Sequence, residues 1–325
     1  MEIPRSPERD AIVREEVYAR INLPEATAKM VERMALTSPA RNVGGGALLN
    51  VASLGSSHKS SRPMLSESHT CERPYRLLCD LDPNVVAIYT QVRIQGVQRQ
   101  LGNGRHVSNA SLDLLVFHPN RIKIVECKTL DKLEALVTKP KSDWIIEGAN
   151  YVHGPYRNWA EANGLSYETY SPPHPCGRYL SNIDVLHASL AHERNDQDHG
   201  IIARVIALCK QRGPQSITAV LANISACERR HLIYGLADKT FSGTLLSEVL
   251  ESGSFLVGLP NTGVEEIDSQ RLQAIAILQR NPVVRDEFLV HPAKYREIAV
   301  KRLNRILAMR AGTEHWTRRH HAPLP

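Results

Sequence analysis

The stretch from Ser111 to Lys128 constrains the fold more than any other part of the chain. Two runs that are apolar apart from Asp113 and Lys123, Leu112 to Phe117 and Ile122 to Val125, flank His118, Pro119, Asn120 and Arg121. Strand-forming runs separated by turn residues read as an antiparallel hairpin with Pro119 and Asn120 at the tip. Setting His118 opposite Arg121 and counting back along both strands places Asp113 directly across from Glu126, with Cβ atoms roughly 4.5–5.5 Å apart. Lys128, two residues beyond Glu126, emerges on the same face.

Adjacent carboxylates repel unless something positive lies between them, and a divalent ion with oxygen ligands at roughly 2.0–2.1 Å is the usual resolution, so the pattern is that of a magnesium site. A lysine beside such an ion can stabilise developing charge on a phosphate or orient the attacking water. The bland alternative is a solvated edge-strand face. The surrounding Leu112, Leu114, Leu115, Val116, Phe117, Ile122, Ile124 and Val125 argue for buried strands, in which a charge needs a partner or a purpose. A helix expected over Cys71–Asp80, with Thr70 as N-cap and Pro74 in its first turn, offers Glu72 as a further polar candidate.

Around this hairpin the order reads helix, three strands, helix, strand. The elements are the Cys71–Asp80 helix, strands over Val85–Val92, Leu112–Phe117 and Ile122–Lys128, a helix from Trp144 to Asn163 and a strand over Leu165–Tyr170. The spacing of Trp144, Tyr151, Tyr156 and Trp159 in that helix suits core packing. Upstream, helices are expected over Ile12–Arg20 and Glu25–Met34, then a Gly/Ser/Pro-rich linker from Thr37 to Arg62. Beyond Gly177 the chain turns helical, with segments Ile201–Arg212, Ser216–Asn223, Cys227–Ala237 and Leu245–Ser252 and one strand at Phe255–Leu259. That order is compatible with a winged helix carrying Arg229, Arg230 and His231, and equally with a small helical interaction domain. The domains are therefore expected at 1–65, 66–176, 177–262 and 263–325.

With 325 residues, 42% hydrophobic and 23% charged, the chain is long enough for two or three domains and too apolar for global disorder. No apolar run reaches the roughly 18 residues of a membrane span, and Glu2, Arg5, Glu8, Arg9 and Asp10 stand where a signal peptide would be apolar. A soluble, cytoplasmic protein is expected, and its six scattered cysteines are expected to be free thiols. The net charge of +6 equals that of Lys294–Pro325 alone, where eight basic residues, Arg318 and Arg319 among them, face Glu297 and Glu314. Such a tail suits phosphate contact or is simply a solvated terminus.

The acid-bearing helix, the strand with Asp113, the next with Glu126-Cys127-Lys128 and the closing helix and strand resemble the PD-(D/E)xK nuclease core of restriction endonucleases. Within that superfamily, Ser66-Glu67-Ser68, Glu72-Arg73-Pro74-Tyr75-Arg76-Leu77-Leu78, Asp80-Leu81-Asp82-Pro83-Asn84-Val85-Val86 and Gln91 are similar to TnsA-like endonuclease subunits of heteromeric, Tn-seven-like transposases. The resemblance covers about residues 55–175, roughly a third of the chain. It departs from the family at Leu112, where a Pro often precedes the Asp, and at Gln91-Val92, where Gln-Pro is frequent.

The resemblance implies an α/β, restriction-endonuclease-like αβββαβ core followed by a mainly helical region. It implies Glu72, Asp113 and Glu126 as metal-proximal acids, the Cys127 carbonyl as a further ligand and Lys128 as the catalytic lysine. The implied cofactor is two Mg²⁺ ions, for which Mn²⁺ substitutes. The implied activity is hydrolysis of phosphodiester bonds at transposon 5′ ends, with double-stranded DNA, a DDE transposase and an ATP-dependent regulator as partners and a nucleoid location when bound to DNA. Arg229, Arg230, Arg318 and Arg319 are candidate DNA contacts. Competing readings are a stand-alone restriction or repair nuclease and a non-catalytic DNA-binding and assembly module.

Overall fold

The computed structural model describes residues 5–37, 53–101, 104–173 and 177–280, and all structural statements refer to these. The chain divides into two compact units, one built from residues up to Cys176 together with Leu180–Arg194, the other from Gly177–Tyr179 and residues from Asn195 on.

The first unit opens with helices α1 (Pro7–Arg20) and α2 (Glu25–Leu36) and the short paired strands β1 (Ser53–Gly55) and β2 (Met64–Ser66). Ser6 caps α1 by accepting the Arg9 N–H at 3.2 Å, and Pro7 sits in the first turn, where its missing N–H costs nothing. Then come α3 (Glu72–Leu81), β3 (Ala87–Leu101), β4 (Gly104–His118), β5 (Arg121–Cys127), α4 (Leu130–Val137), β6 (Trp144–Glu147), β7 (Asn150–His153), α5 (Gly154–Ala162) and β8 (Ser166–Tyr170). Strands β3, β4 and β5 run antiparallel and β8 lies parallel to β5, making a mixed four-stranded sheet in the order β3-β4-β5-β8. The expected order of helix, three strands, helix, strand is present, with α4 and a β6–β7 hairpin inserted before the second helix.

Both sheet faces are covered. Val17, Val31, Met34, Ala35, Tyr156, Trp159 and Ala160 from α1, α2 and α5 pack on one face against Ala87, Tyr89, Leu115, Phe117, Ile122 and Ile124. On the other, Tyr75 and Cys79 of α3 pack with Met64, Ile88, Leu114, Val116 and Val125. Helices α1 and α2 are therefore not a separate arm, because they supply part of the sheet's own core. Buried Arg14 ties the two helices to β3, donating to Glu32 at 2.6 and 2.8 Å and to the Tyr89 hydroxyl at 2.7 Å.

The single helix expected over Trp144–Asn163 is a hairpin followed by a shorter helix. Gly148, at φ +61°, turns β6 into β7, and Pro155 can occupy only the first turn of a helix, so α5 starts beside it, capped by His153. Strand β3 runs well beyond the expected Val92, and its partner β4 starts at Gly104. Helix α6 (Gly177–Ala188) follows β8, and its His187 ring lies 3.0 Å from Asp80 of α3.

The second unit holds α7 (Asp196–Arg212), β9 (Gln215–Ser216), α8 (Ile217–Asn223), α9 (Arg229–Ala237), β10 (Ser242–Gly243), β11 (Leu256–Gly258) and α10 (Val264–Arg280). Strand β11 pairs with both β10 and β9, an order compatible with the winged-helix expectation. The helix expected at Leu245–Ser252 is a run of turns instead, because the Asp268 carboxylate accepts the N–H groups of Leu246 and Ser247, both at 2.8 Å, and holds that backbone in a loop. Among the described residues no helix is long and apolar enough to cross a membrane.

Candidate active site

The β4–β5 register is the one expected: His118 pairs with Arg121 and the ladder runs back to Leu114 opposite Val125. There it stops. Strand β5 continues along β8, with Glu126 opposite Thr169 and Cys127 opposite Tyr170, while β4 leaves with β3. Asp113 and Glu126 thus stand one step past the last β4–β5 pair, where the strands part. The Asp113 carboxylate bridges the gap by accepting the Cys127 N–H at 2.6 Å.

Across the gap from β5, Gln91 lies opposite Asp113, between the ladder pairs Thr90–Leu114 and Val92–Leu112. Its φ of +53° is left-handed, uncommon for a residue with a side chain. This backbone turns both strands over. Ala87 and Tyr89 before it and Val92 and Ile94 after it reach the same core, as do Leu115 and Phe117 on one side and Leu112 on the other. Buried Gln91 sends its amide Nε2 to Glu72 Oε2 at 3.1 Å, which also accepts the Glu67 N–H at 2.8 Å. Gln91 was not among the expected site residues. The signal that marks it is a break in apolar alternation on two strands at one level.

Lys128 follows β5, held in place by its N–H to the Tyr170 carbonyl at 2.9 Å. Its ammonium bonds Glu126 Oε1, lies 3.9 Å from Asp113 Oδ2 and donates to the Cys127 carbonyl at 3.4 Å. Burial by itself would lower its pKa, but the Glu126 and Asp113 charges outweigh that and hold it above the ordinary lysine value. Glu72, Asp113 and Glu126 are each only 8% exposed. Burial first, then the Asp113 charge, pushes the Glu72 carboxyl up to about 7, so near neutrality it carries a readily exchanged proton. Burial also raises the Cys127 thiol far above its ordinary value, which leaves the sulfur inert and its backbone carbonyl as the useful atom.

Asp113, Glu126, Lys128 and the Cys127 carbonyl are thus brought together, and Glu72 reaches them from α3 through the Asp113 field. The donors are hard oxygens, matching Mg²⁺ in kind. Among the described residues no three His, Cys, Asp or Glu side chains are gathered closely enough to hold a metal, and Lys128 stands as the cation between the two strand carboxylates.

The remaining candidates belong to the second unit or lie outside the described residues. On α9, Arg229 donates to the Leu250 carbonyl at 2.8 Å and Arg230 pairs with Glu228 at 3.4 Å. His231, Leu232, Tyr234, Gly235, Leu236 and Ala237 of that helix are buried, which leaves little of it to read a groove. Arg318 and Arg319, with the basic tail, lie outside the described residues. Cys71, Cys79, Cys127, Cys209 and Cys227 are free thiols. No family model matches the chain, and no curated protein matches it.

Proposed function

We propose that the protein is a metal-dependent DNA endonuclease with a restriction-endonuclease-like core, acting at transposon 5′ ends as a subunit of a heteromeric transposase. The observation that carries this reading is the meeting of Asp113, Glu126 and Lys128 where β4 and β5 part, with Glu72 supplied by the helix before the sheet. Asp113 and Glu126, buried on neighbouring strands among apolar side chains with Lys128 just past the end of β5, are more charge than packing requires, and perturbed titration in such a cluster marks functional sites.

In this reading Asp113, Glu126 and the Cys127 carbonyl would hold Mg²⁺, with Glu72 a further acid beyond Asp113 rather than a third carboxylate ligand. Bound there, the ion would supply charge neutralisation at the scissile phosphate and lower the pKa of water. Lys128, whose ammonium stands beside Glu126 and Asp113, would be the cation available to the phosphate oxygens or the attacking water. Glu72, whose carboxyl burial and the Asp113 charge hold above the ordinary value in the metal-free protein, would be an acid next to Asp113. Gln91 positions Glu72, and the Cys127 N–H positions Asp113. Double-stranded transposon ends, a DDE transposase and an ATP-dependent regulator are the partners this role requires.

A second reading, a non-catalytic DNA-binding and assembly module, draws on the ammonium of Lys128 already standing between the strand carboxylates. Titration of Mg²⁺ or Mn²⁺ into the full chain separates the two. At tenfold excess over its dissociation constant, a bound ion should stabilise the wild type by roughly 1.4 kcal/mol and leave Asp113→Ala unmoved. Cleavage reconstituted with a transposase should then be abolished in Asp113→Ala, Glu126→Ala and Lys128→Ala, all still folded. Absence of metal binding in the wild type at millimolar concentration, with and without DNA, would establish the assembly module instead.

A further inference from the structure

Strands β3 and β4 outrun the rest of the sheet. Strand β4 pairs with β5 only over Leu114–His118, whereas its ladder with β3 continues to Leu101 opposite Gly104. From Val92 on, β3 and β4 therefore form a two-stranded ribbon roughly 30 Å long at about 3.3 Å per residue. It springs from Gln91 and Asp113, at the carboxylate cluster itself.

One face of this ribbon is committed. Val92, Ile94, Val97 and Leu112 are buried, and the Trp159 indole N–H donates to the Gln95 carbonyl at 2.8 Å. The residues between them, Arg93, Gln95, Gln98, Val107 and Asn109, are exposed. Gln98 lies directly across from Val107, which is 63% exposed, and Arg93 lies across from Ser111. The sequence from Pro83 to Leu112 contains no Asp or Glu, while it holds Arg93, Arg99, Arg105 and His106. Arg99 is turned to the committed side, where it lies 3.8 Å from Asp143 and donates to the Tyr156 hydroxyl at 3.1 Å, so the exposed face carries Arg93 and no acid of its own strands, a charge pattern suited to a polyanion.

We infer that the exposed face of the β3–β4 ribbon is the surface on which double-stranded DNA lies. The inference rests on the nuclease reading for its choice of polyanion. The chemistry of the face fits a duplex: arginine for phosphate, glutamine and asparagine amides for base edges, and an exposed valine for a thymine methyl. A two-stranded ribbon also fits a major groove about 12 Å wide. Because the ribbon shares β4 with Asp113, a duplex laid along it brings a backbone phosphate toward that carboxylate.

The test is the binding of a fluorescent duplex to the full chain in EDTA, where the carboxylate cluster holds no ion. Relative to wild type, Arg93→Glu combined with Gln98→Glu should weaken binding about tenfold near 0.1 M salt and flatten the dependence of log K on log salt by about one. Asp113→Asn should bind DNA at least as well as wild type. A photocrosslinker attached through Val107→Cys should label the duplex, which keeps the inference testable should the double variant fold poorly. Equal binding by wild type and the double variant, or no crosslink, overturns the ribbon while leaving the nuclease reading intact. Ribbon-dependent binding by a chain whose wild type takes up no metal leaves the ribbon standing and removes the nuclease.

Discussion

The two ends of the β4–β5 pair follow opposite rules. At the turn end, Val116, Phe117, Ile122 and Ile124 are fully buried, each rung is paired, and the two-residue tip closes the strands in the only register that keeps both faces apolar. At the open end the ladder breaks, a left-handed Gln91 turns the neighbouring strands over, and Glu72, Asp113 and Glu126 are buried with the half-buried Lys128 beside them. The turn end lowers the free energy of the fold. The open end spends part of that stability on like charges that packing alone would never assemble, which is the expected signature of a working site.

Removing volume should break the comparison most. Phe117→Ala leaves a cavity between α1 and the sheet and should cost about 3–5 kcal/mol, read from urea midpoints, while any metal-dependent stabilisation of the molecules still folded stays as in wild type. A cost below about 1 kcal/mol would mean the turn end is not the anchor.

Next comes Gln91. Gln91→Ala removes the amide that bonds the Glu72 carboxyl and should cost about 1–3 kcal/mol in thermal or chemical unfolding. Gln91→Glu, which sets a third carboxylate beside Glu72 and Asp113, should destabilise more at pH 8 than at pH 5. Equal effects at the two pH values would detach Gln91 from the charge cluster.

The pH dependence sharpens the contrast further. Folding raises the Glu72 carboxyl from 4.5 to about 7, so between these values the folded chain holds the proton that the unfolded chain has released. Its contribution to stability is present below pH 4.5 and is lost as the pH rises toward 7, with a slope of at most about 1.4 kcal/mol per pH unit. His153 acts in the opposite direction: burial first, then Arg99 and Lys128, depresses it from 6.5 to about 3. Its contribution is present above pH 6.5 and lost as the pH falls. Subtracting the stability profile of Glu72→Gln from that of wild type isolates the first slope; a flat difference between pH 4.5 and 7 would remove Glu72 from the cluster.

The smallest effect is expected at Asp113. Asp113→Asn keeps an oxygen for the Cys127 N–H, and the repulsion from Glu72 that it removes is set against the lost attraction to Lys128 at 3.9 Å, so apo stability should change by less than about 1 kcal/mol. The same variant should lose all metal-dependent stabilisation. A marked loss of apo stability would show that the carboxylate is structural.

Much of this was legible in one dimension. Alternating and continuous apolar runs, Pro119-Asn120 and the count from the turn determined the hairpin and its register, because side-chain period and turn length leave one solution that buries both faces. Pro74 and Pro155 likewise mark helix starts, since proline lacks the N–H that a helix interior needs, and reading Trp144–Asn163 as one helix overlooked the second of them. Tertiary structure alone decided the rest. That α1 and α2 complete the sheet core, that β3 and β4 continue as a ribbon, that α9 buries most of its surface, and that Gln91 faces Asp113 and reaches Glu72 all depend on contacts between residues far apart in the chain. Local periodicity carries no term for such contacts, so the carboxylates could be named from sequence, while the parting of the strands that gathers them could not.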